Sequence, residues 1–505
     1  MRSAIVLLAL LQLFWATAGL YAQPATHATC LGQAPPQSKL QLVFSDEFNK
    51  AGRNFGSGQD SRWLAMDMYY AATNDKEVYK PDQVTTKAGT AVLTLEKAPA
   101  PVSARTQDPW GAITPVAQPY ISGMLQGWNK FCFTGGYVEA SIKLPGDAYK
   151  TGFWPAFWMM GNLGRAGLLN TTGGLWPYSY DKCEGSGPSG FDKLPGQLIN
   201  ACPDPAGFNR TAAWGFNQGQ GRGSPEIDIM ELMVNAASVS SVPAPTSAPT
   251  IQPAAGLRSQ PAAPSASRAS IGQTVQMGPI MPSGTHWVDP AFYAAQGVQD
   301  GAIFPGASTN LKTRLNPQWG PYSTPGQLPR PSGPYQDSMS AVSDIGQSFF
   351  GDFHKFGLDW APGEYLRWYI DGVFTFELNK EALAARENAL GQKVGQRQIP
   401  EEPMYLLFNL AMSDLWVVQD PKLDIPATLE VDYVRVYQDP ANLRLGCSPP
   451  DFPTAQYIAC NQKQYILNPE DASLITEKCL AAPAAAAAKQ VATAGRKLLL
   501  QKDMY

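Results

Sequence analysis

Three acidic residues lie close together in a short apolar stretch of the chain. The segment SPEIDIMEL at 224–232 carries Glu226, Asp228 and Glu231, with isoleucine and methionine between them. If this segment is a β-strand, Glu226 and Asp228 lie on one face, because alternate side chains of a strand share a face. Glu231 has the wrong parity, but a one-residue β-bulge near Met230 would bring it to the same face, and bulges are common beside active sites. The spacing therefore predicts three carboxyl groups on one face of a bulged strand.

Such a group of carboxyls could catalyse substitution at a sugar carbon. Retaining glycosidases use one carboxylate as the nucleophile and a second as the general acid/base, about 5–5.5 Å apart. A third acid between them can share a proton with the nucleophile and help to hold the acid/base protonated. Two other interpretations are a solvated acidic face and a calcium site. Stacked like charges repel, and one strand face does not wrap around a hard cation, so we expect catalytic carboxyls without a metal or a cofactor.

Alternating apolar and polar residues predict that strands dominate the chain. Hairpin turns are predicted at Ala88-Gly89 and Asp371-Gly372, and strands at 138–145, 404–412 and 429–438. One helix is predicted at 380–390, with Asn379 as its N-cap. Many strands separated by turn residues, with little helix, predict an all-β protein with two packed antiparallel sheets.

The composition excludes several classes of function. The chain has 505 residues, of which 44% are apolar and 16% are charged, and its net charge is −4. These values indicate a globular protein, and the lack of a dense basic run argues against a nucleic-acid partner. The sequence has no glycine-rich loop of the phosphate-binding pattern, which argues against a nucleotide ligand. With three histidines in the chain, a histidine-based nucleophile or a histidine-rich metal site is not expected.

The N-terminus has the pattern of a targeting segment. An apolar run at 4–15 follows Arg2 and is followed by small residues at 16–18, which predicts a secretory signal peptide over residues 1–22. The alternative is an uncleaved signal anchor that attaches the protein to a membrane, because 4–22 is nearly long enough to span a bilayer. We therefore expect a protein of the secretory pathway. It would be secreted to the cell wall, or anchored with its folded part on the lumenal or extracellular side.

The cysteines and sequons fit that route. All seven cysteines lie beyond residue 22, and disulfides form in oxidising compartments. The disulfide candidates are Cys183 with Cys202 across a Gly/Pro-rich loop, and Cys447, Cys460 and Cys479, which Cys30 could join. Cys132, in the strand-like sequence KFCF, is expected to be the buried unpaired thiol. Asn170 and Asn209 each begin an N-glycosylation sequon.

Several blocks of the sequence resemble glycoside hydrolase family 16. The ExDxxE spacing at 226–231 is similar to the bulged signature of that family. Other similar blocks are FSDEF at 44–48, GFWPAFWMMG at 152–161, DFHKFGLDW at 352–360 and VDYVRVYQ at 431–438. Further blocks, such as SGMLQGWNKFCFTGGYVEASIKLPG at 122–146 and EEPMYLLFNL at 401–410, resemble the fungal β-1,6-glucan synthesis-associated proteins, a branch of the same clan. The resemblance extends from about residue 40 to residue 452.

The resemblance implies a jelly-roll β-sandwich of two antiparallel sheets with a concave sugar-binding face. On that basis Glu226 would be the nucleophile, Asp228 its assisting acid and Glu231 the general acid/base. The residues alone leave the order of the two glutamates open.

Four other residues are candidates for substrate binding. The resemblance implies that Trp154 and Trp158 lie beside the cleft, and core packing is the alternative because tryptophan is usually largely buried. Asn409 and His354 could bind sugar hydroxyls or could satisfy backbone groups.

The residues and the resemblance together predict a retaining β-glucan hydrolase or transglycosylase. It would act on β-1,3- or β-1,6-linked glucan in cell-wall biosynthesis or remodelling. The alternative is a non-catalytic accessory protein that binds glucan. The expected order of segments is a glucanase-like domain at 40–446 with a disordered Pro/Ala/Ser-rich insertion at about 237–270, a cysteine-containing extension at 447–479 and a disordered tail at 480–505.

Overall fold

Strands are the main regular secondary structure in the described part of the chain. The computed structural model describes residues 34–35, 39–180, 197–201, 214–234, 269–281, 313–315, 335–384, 386–387, 393–394 and 396–480. The strands are β1 (Gln41–Asp46), β2 (Leu64–Ala65), β3 (Glu77–Tyr79), β4 (Val84–Lys87), β5 (Thr90–Gln107), β6 (Ile113–Ser122), β7 (Met124–Gln126), β8 (Gly136–Lys143), β9 (Trp154–Gly161), β10 (Glu226–Val234), β11 (Ala269–Met281), β12 (Thr313–Leu315), β13 (Tyr335–Asp344), β14 (His354–Ala361), β15 (Tyr365–Ile370), β16 (Val373–Asn379), β17 (Arg386–Glu387), β18 (Lys393–Val394), β19 (Met404–Ala411) and β20 (Ala427–Gln438).

Two large sheets pack face to face. The ten-stranded sheet has the order β16-β15-β14-β8-β20-β5-β6-β3, with β1 paired to β20 and β4 to β5. The eight-stranded sheet has the order β12-β13-β11-β10-β9-β19-β7-β2. The described pairings are antiparallel except that of β3 with β6. The fold is therefore the jelly-roll β-sandwich that the family resemblance implies, and the acidic strand β10 lies inside the eight-stranded sheet.

Both predicted hairpin turns are confirmed. Ala88 and Gly89 join β4 to β5, and Asp371 and Gly372 join β15 to β16. All four residues have positive φ angles, between 50° and 85°. Two-residue hairpin loops of the favoured type need positive φ at both central positions, which Gly and Asp accept more readily than most residues.

The main core lies between the two sheets. Its fully buried side chains include Val138 of β8, Ile227 of β10 and Phe408 of β19. Because alternate residues share a face, burying Ile227 and Ile229 between the sheets turns Glu226 and Asp228 to the opposite face of the eight-stranded sheet. The packing of β10 therefore determines which way its acids point.

The helices are short. The α-helices are α1 (Leu169–Thr172), α2 (Ser348–Gly351), α3 (Ala455–Cys460) and α4 (Gln462–Tyr465), and the 3-10 helices are Ala71–Thr73, Pro81–Gln83, Lys380–Leu383 and Pro469–Leu474. Among the described residues, no helix is long and apolar enough to cross a membrane.

The predicted helix at 380–390 is wrong in type and length. Asn379 does cap a helix, since its side chain accepts a hydrogen bond from Ala382 N over 3.2 Å, but the structure has only the 3-10 helix Lys380–Leu383. The chain then enters β17, where Arg386 pairs with Val394 of β18. Pairing between these two strands replaces the later turns of the predicted helix.

The prediction that Cys132 is an unpaired thiol is wrong. Cys132 forms a disulfide with Cys447, 315 residues later in the chain, with the two Cα atoms 4.7 Å apart. The neighbouring Phe133 bridges to Leu445, and this pairing of distant segments brings the two cysteines together. Local sequence carries no sign of it.

The C-terminal extension contains a disulfide of its own. Cys460 at the end of α3 forms a disulfide with Cys479. Both cysteines were among the disulfide candidates in the sequence. Several other predictions lie outside the described residues: the segment 1–22, most of the insertion at 237–270, the tail after residue 480, Cys30, Cys183, Cys202 and Asn209. Asn170 lies in α1 and is half-buried, and its glycosylation stays a prediction.

Candidate active site

A bulge in β10 brings the three acids to one face. Asp228 is opposite Thr274 of β11 and Trp158 of β9. Glu231, three residues later, is opposite Gly272 and Ala156, each only two residues from the partner of Asp228. The extra residue on β10 restores the parity, because directly opposed residues share a face. The bulge that the sequence predicted is confirmed.

Two tryptophans support the bulged strand through its backbone. Trp368, from the ten-stranded sheet, donates across the core to the carbonyl of Asp228 over 3.0 Å. Trp416, in the segment after β19, donates to the carbonyl of Leu232 over 2.9 Å. Bulges leave ladder carbonyls without strand partners, and these indole N–H groups satisfy two carbonyls beside the acids.

The acids are sheltered from solvent. Asp228 is 2% exposed and Glu231 is 5% exposed, while Glu226 is partly exposed at the start of the strand. A solvated acidic face, one of the interpretations of the sequence, does not fit this burial. Carboxyls of surface strands are hydrated, and burying them costs free energy unless they are hydrogen-bonded or protonated.

Each acid accepts a hydrogen bond from a different side chain. Trp176 Nε1 donates to Glu226 Oε2 over 2.6 Å, and Gln276 Nε2 donates to Asp228 Oδ2 over 3.1 Å. Trp154 Nε1 donates to Glu231 Oε1 over 3.0 Å. The other oxygen of Glu231, Oε2, is buried and has no hydrogen-bond partner among the described residues. One oxygen of Glu231 is thus held in place by an indole, whereas the other is buried with its hydrogen-bonding capacity unused among the described residues.

Burial raises the pKa of all three carboxyls. The pKa of Asp228 rises to about 7. The pKa values of Glu226 and Glu231 rise well above the usual range, through burial first and then through the charge of Asp228. Glu226 and Asp228 also hydrogen-bond to each other, so this pair holds a proton between them. The donors on each acid oppose the rise, because they favour the ionised form.

This charge state suits acid–base chemistry. Three neighbouring buried carboxyls cannot all be ionised near neutral pH. At least one of the three carboxyls therefore stays protonated near neutral pH, while the hydrogen bonds from the two indoles and the amide stabilise the ionised form of the carboxyls that they contact. A site of this kind can present one carboxylate and one carboxylic acid at the same time, which is the combination that a double displacement at carbon needs.

Two of the predicted substrate-binding residues pack against each other beside the acids. Trp158, opposite Asp228, donates to Asn409 Oδ1 over 2.8 Å. Asn409 donates in turn to the hydroxyl of Tyr79 over 3.3 Å. Both side chains are buried, so their polar atoms are used within the protein. Trp154, by contrast, is partly exposed and stacks on Trp416 with ring centroids 4.4 Å apart.

The structure does not bring His354 to the acids. His354 begins β14 in the ten-stranded sheet and stacks on Phe349 at 3.7 Å. Its Nδ1 lies 2.7 Å from Asp371 Oδ2 at the β15–β16 turn. This is the structural role that the sequence left open for it.

Three contacts of the site were missed in the sequence analysis. Trp176 lies 50 residues before Glu226, and Gln276 lies 48 residues after Asp228. Trp416 follows β19 in a segment without a strand pattern. Local sequence marks none of the three contacts, because each joins segments that are distant in the chain.

A second pair of buried acids lies beyond Asn409. Burial raises the pKa of Asp75 to about 7 and that of Glu77 well above its usual range. Tyr79 donates to Asp75 Oδ2 over 3.3 Å, and Met412 N donates to Glu77 Oε2 over 3.0 Å. A continuous polar network therefore leads from this pair through Tyr79 and Asn409 to Trp158, the neighbour of Asp228. In the described parts of the chain, no group of three or more His, Cys, Asp or Glu residues is arranged to hold a metal ion.

The fold and the site together define the class of protein. A jelly-roll sandwich whose eight-stranded sheet carries a bulged ExDxxE strand fits the glucanase-like fold that the sequence resemblance implies. The chain matches the family model "Beta-glucan synthesis-associated protein SKN1/KRE6/Sbg1" over residues 20–255 and 330–479 and belongs to that family. The resemblance seen in the sequence is confirmed.

Named relatives agree with this assignment. The chain is 34% identical over 433 residues to "Beta-glucan synthesis-associated protein SKN1" of Candida albicans. The matched region covers 83% of this chain and 48% of the relative. It is 31% identical over 473 residues to "Beta-glucan synthesis-associated protein KRE6" of Saccharomyces cerevisiae. That matched region covers 88% of this chain and 55% of the relative. The chain thus spans about half the length of these relatives.

Among solved structures, the laminarinase catalytic domain of Thermotoga maritima is similar at 18% identity and a TM-score of 0.39, covering 79% of this chain and 99% of that domain.

Proposed function

We propose that the protein is a retaining β-glucan hydrolase or transglycosylase that acts on β-1,3- or β-1,6-linked glucan. The observation that carries the proposal is the pair of indole contacts: Trp176 holds one oxygen of Glu226, and Trp154 holds one oxygen of Glu231. Each glutamate is fixed in orientation, and Glu231 Oε2 remains without a partner among the described residues. A protein that merely bound sugar would not need two glutamates held in orientation by indoles, with a buried acid between them.

In the first step Glu226, ionised, attacks the anomeric carbon of the bound sugar. The bond from that carbon to the glycosidic oxygen breaks, and Glu231 gives its proton to the leaving oxygen. Asp228 carries the proton that it shares with Glu226, which removes the repulsion between two neighbouring charges. The result is a glycosyl ester on Glu226 and an ionised Glu231.

In the second step Glu231 removes a proton from an incoming hydroxyl group. The oxygen of that hydroxyl bonds to the anomeric carbon, and Glu226 leaves as a carboxylate. Water as the acceptor gives hydrolysis, and a sugar hydroxyl gives transfer. Membership of a family described as glucan-synthesis-associated favours transfer in cell-wall assembly or remodelling.

We also propose that the protein acts in the secretory pathway or at the cell surface. Its two described disulfides, Cys132–Cys447 and Cys460–Cys479, support an oxidising compartment. The apolar segment within residues 1–22 would be a cleaved signal or would attach the protein to a membrane.

Product analysis by mass spectrometry tests the proposal. Purified protein is incubated with β-1,3- and β-1,6-gluco-oligosaccharides labelled at the reducing end, beside the variants Glu226→Gln and Glu231→Gln. Shorter labelled chains form in both reactions because the leaving part keeps the label, so shorter chains without longer ones mean hydrolysis, and longer labelled chains mean transfer. Loss of the general acid/base contribution predicts that Glu231→Gln slows the reaction by about 10²–10⁴-fold. Glu364→Gln, in an exposed β14–β15 turn, is the matched control and should retain full activity.

A non-catalytic accessory protein would give a different result. It would leave both oligosaccharides unchanged while still binding them, and neither glutamate variant would alter that binding beyond the loss of one contact. That outcome would refute catalysis on these substrates and favour a glucan-binding role.

A further inference from the structure

The face of the eight-stranded sheet that carries the acids is mostly covered. Opposed residues define a row across this face, from Asp228 through Trp158, Leu407 and Gln126 to Leu64 at the edge strand. Every member of the row is buried, and Leu407 and Gln126 are 0% exposed. A polysaccharide lying across this side of the sheet would need these side chains to be accessible.

A second apolar layer covers them. We call it the covering layer and define it as the segments 68–79, 163–176, 197–199, 214–216 and 455–475. Its buried side chains form one hydrophobic cluster with Trp158, Met160, Tyr405 and Leu407 of the sheet. The cluster is separate from the main core between the two sheets. The sheet is therefore packed on both faces on this side of β10.

Direct contacts join the covering layer to the sheet. The hydroxyl of Tyr405 donates to Gly164 O over 3.1 Å and accepts from Ala166 N over 3.0 Å. Asn409 donates to Tyr79, and Trp128, just after β7, stacks on Tyr465 with ring centroids 5.4 Å apart. These contacts leave no space for a sugar chain between the layer and the strands.

The layer is also held together internally by buried polar contacts. Arg165 is fully buried and forms an ion pair with Asp471 at 3.0 Å. The hydroxyl of Tyr465 donates to Leu163 O over 2.5 Å. Both contacts join the segment 163–176, after β9, to the segment 455–475, in the C-terminal extension. These two segments are therefore packed together as one unit. Opening this unit would leave the Arg165 charge buried without its partner, which is costly.

The partly exposed residues gather at the acids. Among the described residues around the site, those that are partly exposed are Tyr70, Trp154, Trp176, Glu226 and Trp416. Trp176 belongs to the covering layer and contacts Glu226. Trp154 and Trp416 stack beside Glu231, next to the exposed Leu415 and Val418. The covering layer therefore contacts the partly exposed Glu226, whereas the Trp154–Trp416 pair beside the buried Glu231 adjoins exposed chain.

We propose that this site takes the end of a β-glucan chain, with the non-reducing terminal sugar pointing inward, and does not take an internal stretch of the chain. The inference rests on the proposed function. The nucleophile contacts the sugar whose anomeric carbon reacts, and the acid/base contacts the leaving side. Because the covering layer backs Glu226, few sugars fit beyond the reacting one. The side of the partly exposed Trp154 and Trp416, next to Glu231, receives the rest of the chain and, in the second step, the acceptor.

Binding measurements with chains that differ in their ends test this inference. The full-length Glu226→Gln variant is titrated calorimetrically with three probes: a linear gluco-oligosaccharide, the same oligosaccharide reduced to its alditol, and a cyclic glucan of β-1,3 and β-1,6 linkages. We expect the linear oligosaccharide and the alditol to bind with similar affinity. The cyclic glucan, which has no ends, should bind at least about tenfold more weakly, a difference of about 1.4 kcal/mol.

Each outcome has a distinct meaning. Equal affinity for the cyclic glucan would overturn the inference and leave the proposed function standing, because an open groove would then be present. Loss of affinity for the alditol alone would show that the reducing end enters, and would overturn the orientation. Binding of none of the three would refute the proposed function for these glucans, and the inference with it.

The wild-type protein gives a second measurement. The substrate is a long linear glucan labelled at the reducing end. If the site acts on chain ends, the labelled chain gains or loses sugars only at its non-reducing end, so its length changes in small steps. The viscosity of the solution then falls in proportion to the sugar released. An early collapse of viscosity with little release would indicate cleavage within the chain and would contradict the inference.

Discussion

The indole of Trp176 donates to Glu226 Oε2 over 2.6 Å, which ties the covering layer to the carboxylate proposed as the nucleophile. A charged acceptor makes such a hydrogen bond stronger than one between neutral groups. The contact therefore favours the ionised form of a glutamate whose pKa burial and the charge of Asp228 raise. Its counterpart, Trp154 on Glu231, has the same chemistry on the other glutamate.

Trp176→Phe should shift the acid limb of activity to higher pH. The variant removes the N–H donor and keeps an aromatic ring, so the pKa of Glu226 rises further. Because the nucleophile must be ionised, more alkaline conditions are needed for the same activity. The measurement is the pH profile of kcat/KM, which reports groups of the free enzyme. Trp110→Phe, at an exposed tryptophan, is the control and should leave the profile unchanged.

Trp154→Phe should shift the alkaline limb to higher pH. The donor that it removes lowers the pKa of Glu231, so the variant raises that pKa and the acid/base stays protonated to higher pH. The same profile of kcat/KM measures it. If Trp154→Phe moved the acid limb and Trp176→Phe moved the alkaline limb, the roles of the two glutamates would be the reverse of those proposed.

Asp75→Asn should flatten the dependence of stability on pH. Burial raises the pKa of Asp75 from 3.8 to about 7, so the folded protein holds this proton more tightly than the unfolded chain. The stabilisation from this group is complete below about pH 4 and is lost as the pH rises to about 7. Urea unfolding at pH 5 and pH 8 measures the change in the free energy of unfolding.

The wild type should lose more stability between these two pH values than Asp75→Asn does. Asp82→Asn, at an exposed carboxylate nearby, serves as the control and should follow the wild type. Parallel curves for the wild type and Asp75→Asn would contradict a buried protonated Asp75.

Arg222→Met should destabilise the fold by about 3–5 kcal/mol, the usual cost of leaving a buried charge unpaired. Arg222 is fully buried and forms two hydrogen bonds with Glu402, over 2.8 and 2.7 Å. The double variant Arg222→Met/Glu402→Leu should recover part of the loss, since it removes both charges. Chemical denaturation measures both.

Arg444→Met is the matched control for that experiment. Arg444 pairs with Asp451 on the surface, where an ion pair contributes at most about 1 kcal/mol. A loss from Arg222→Met no greater than that of the control would show that Glu402 finds another partner or becomes protonated.

Local patterns in the sequence were sufficient for the strands and for the acidic cluster. The turns at Ala88-Gly89 and Asp371-Gly372 depend on backbone preferences of the residues themselves. Once the three acids are taken to share a face, the bulge in β10 follows from parity, because two acids two residues apart and a third three residues further on cannot share a regular strand face. Such features need no knowledge of distant segments.

The features that the sequence did not predict depend on distant contacts. The Cys132–Cys447 bond joins residues 315 positions apart, and the register of β11 against β10 decides that Gln276 reaches Asp228. The helix expected at 380–390 fails because β17 pairs with β18 over the same segment. Hydrophobic patterning identifies a buried residue but does not identify its neighbour.

The covering layer also has a consequence for the order of events on the ribosome. Its segment 455–475 follows every strand of both sheets in the chain, and translation delivers residues from the N-terminus onward. The two sheets can therefore meet across their common core before this last part of the covering layer is made. During that interval the side chains that this segment covers, such as Trp128, are exposed. The segment 455–475 then shields this apolar surface and, through Asp471 and Tyr465, fixes the segment 163–176, whose Trp176 contacts Glu226.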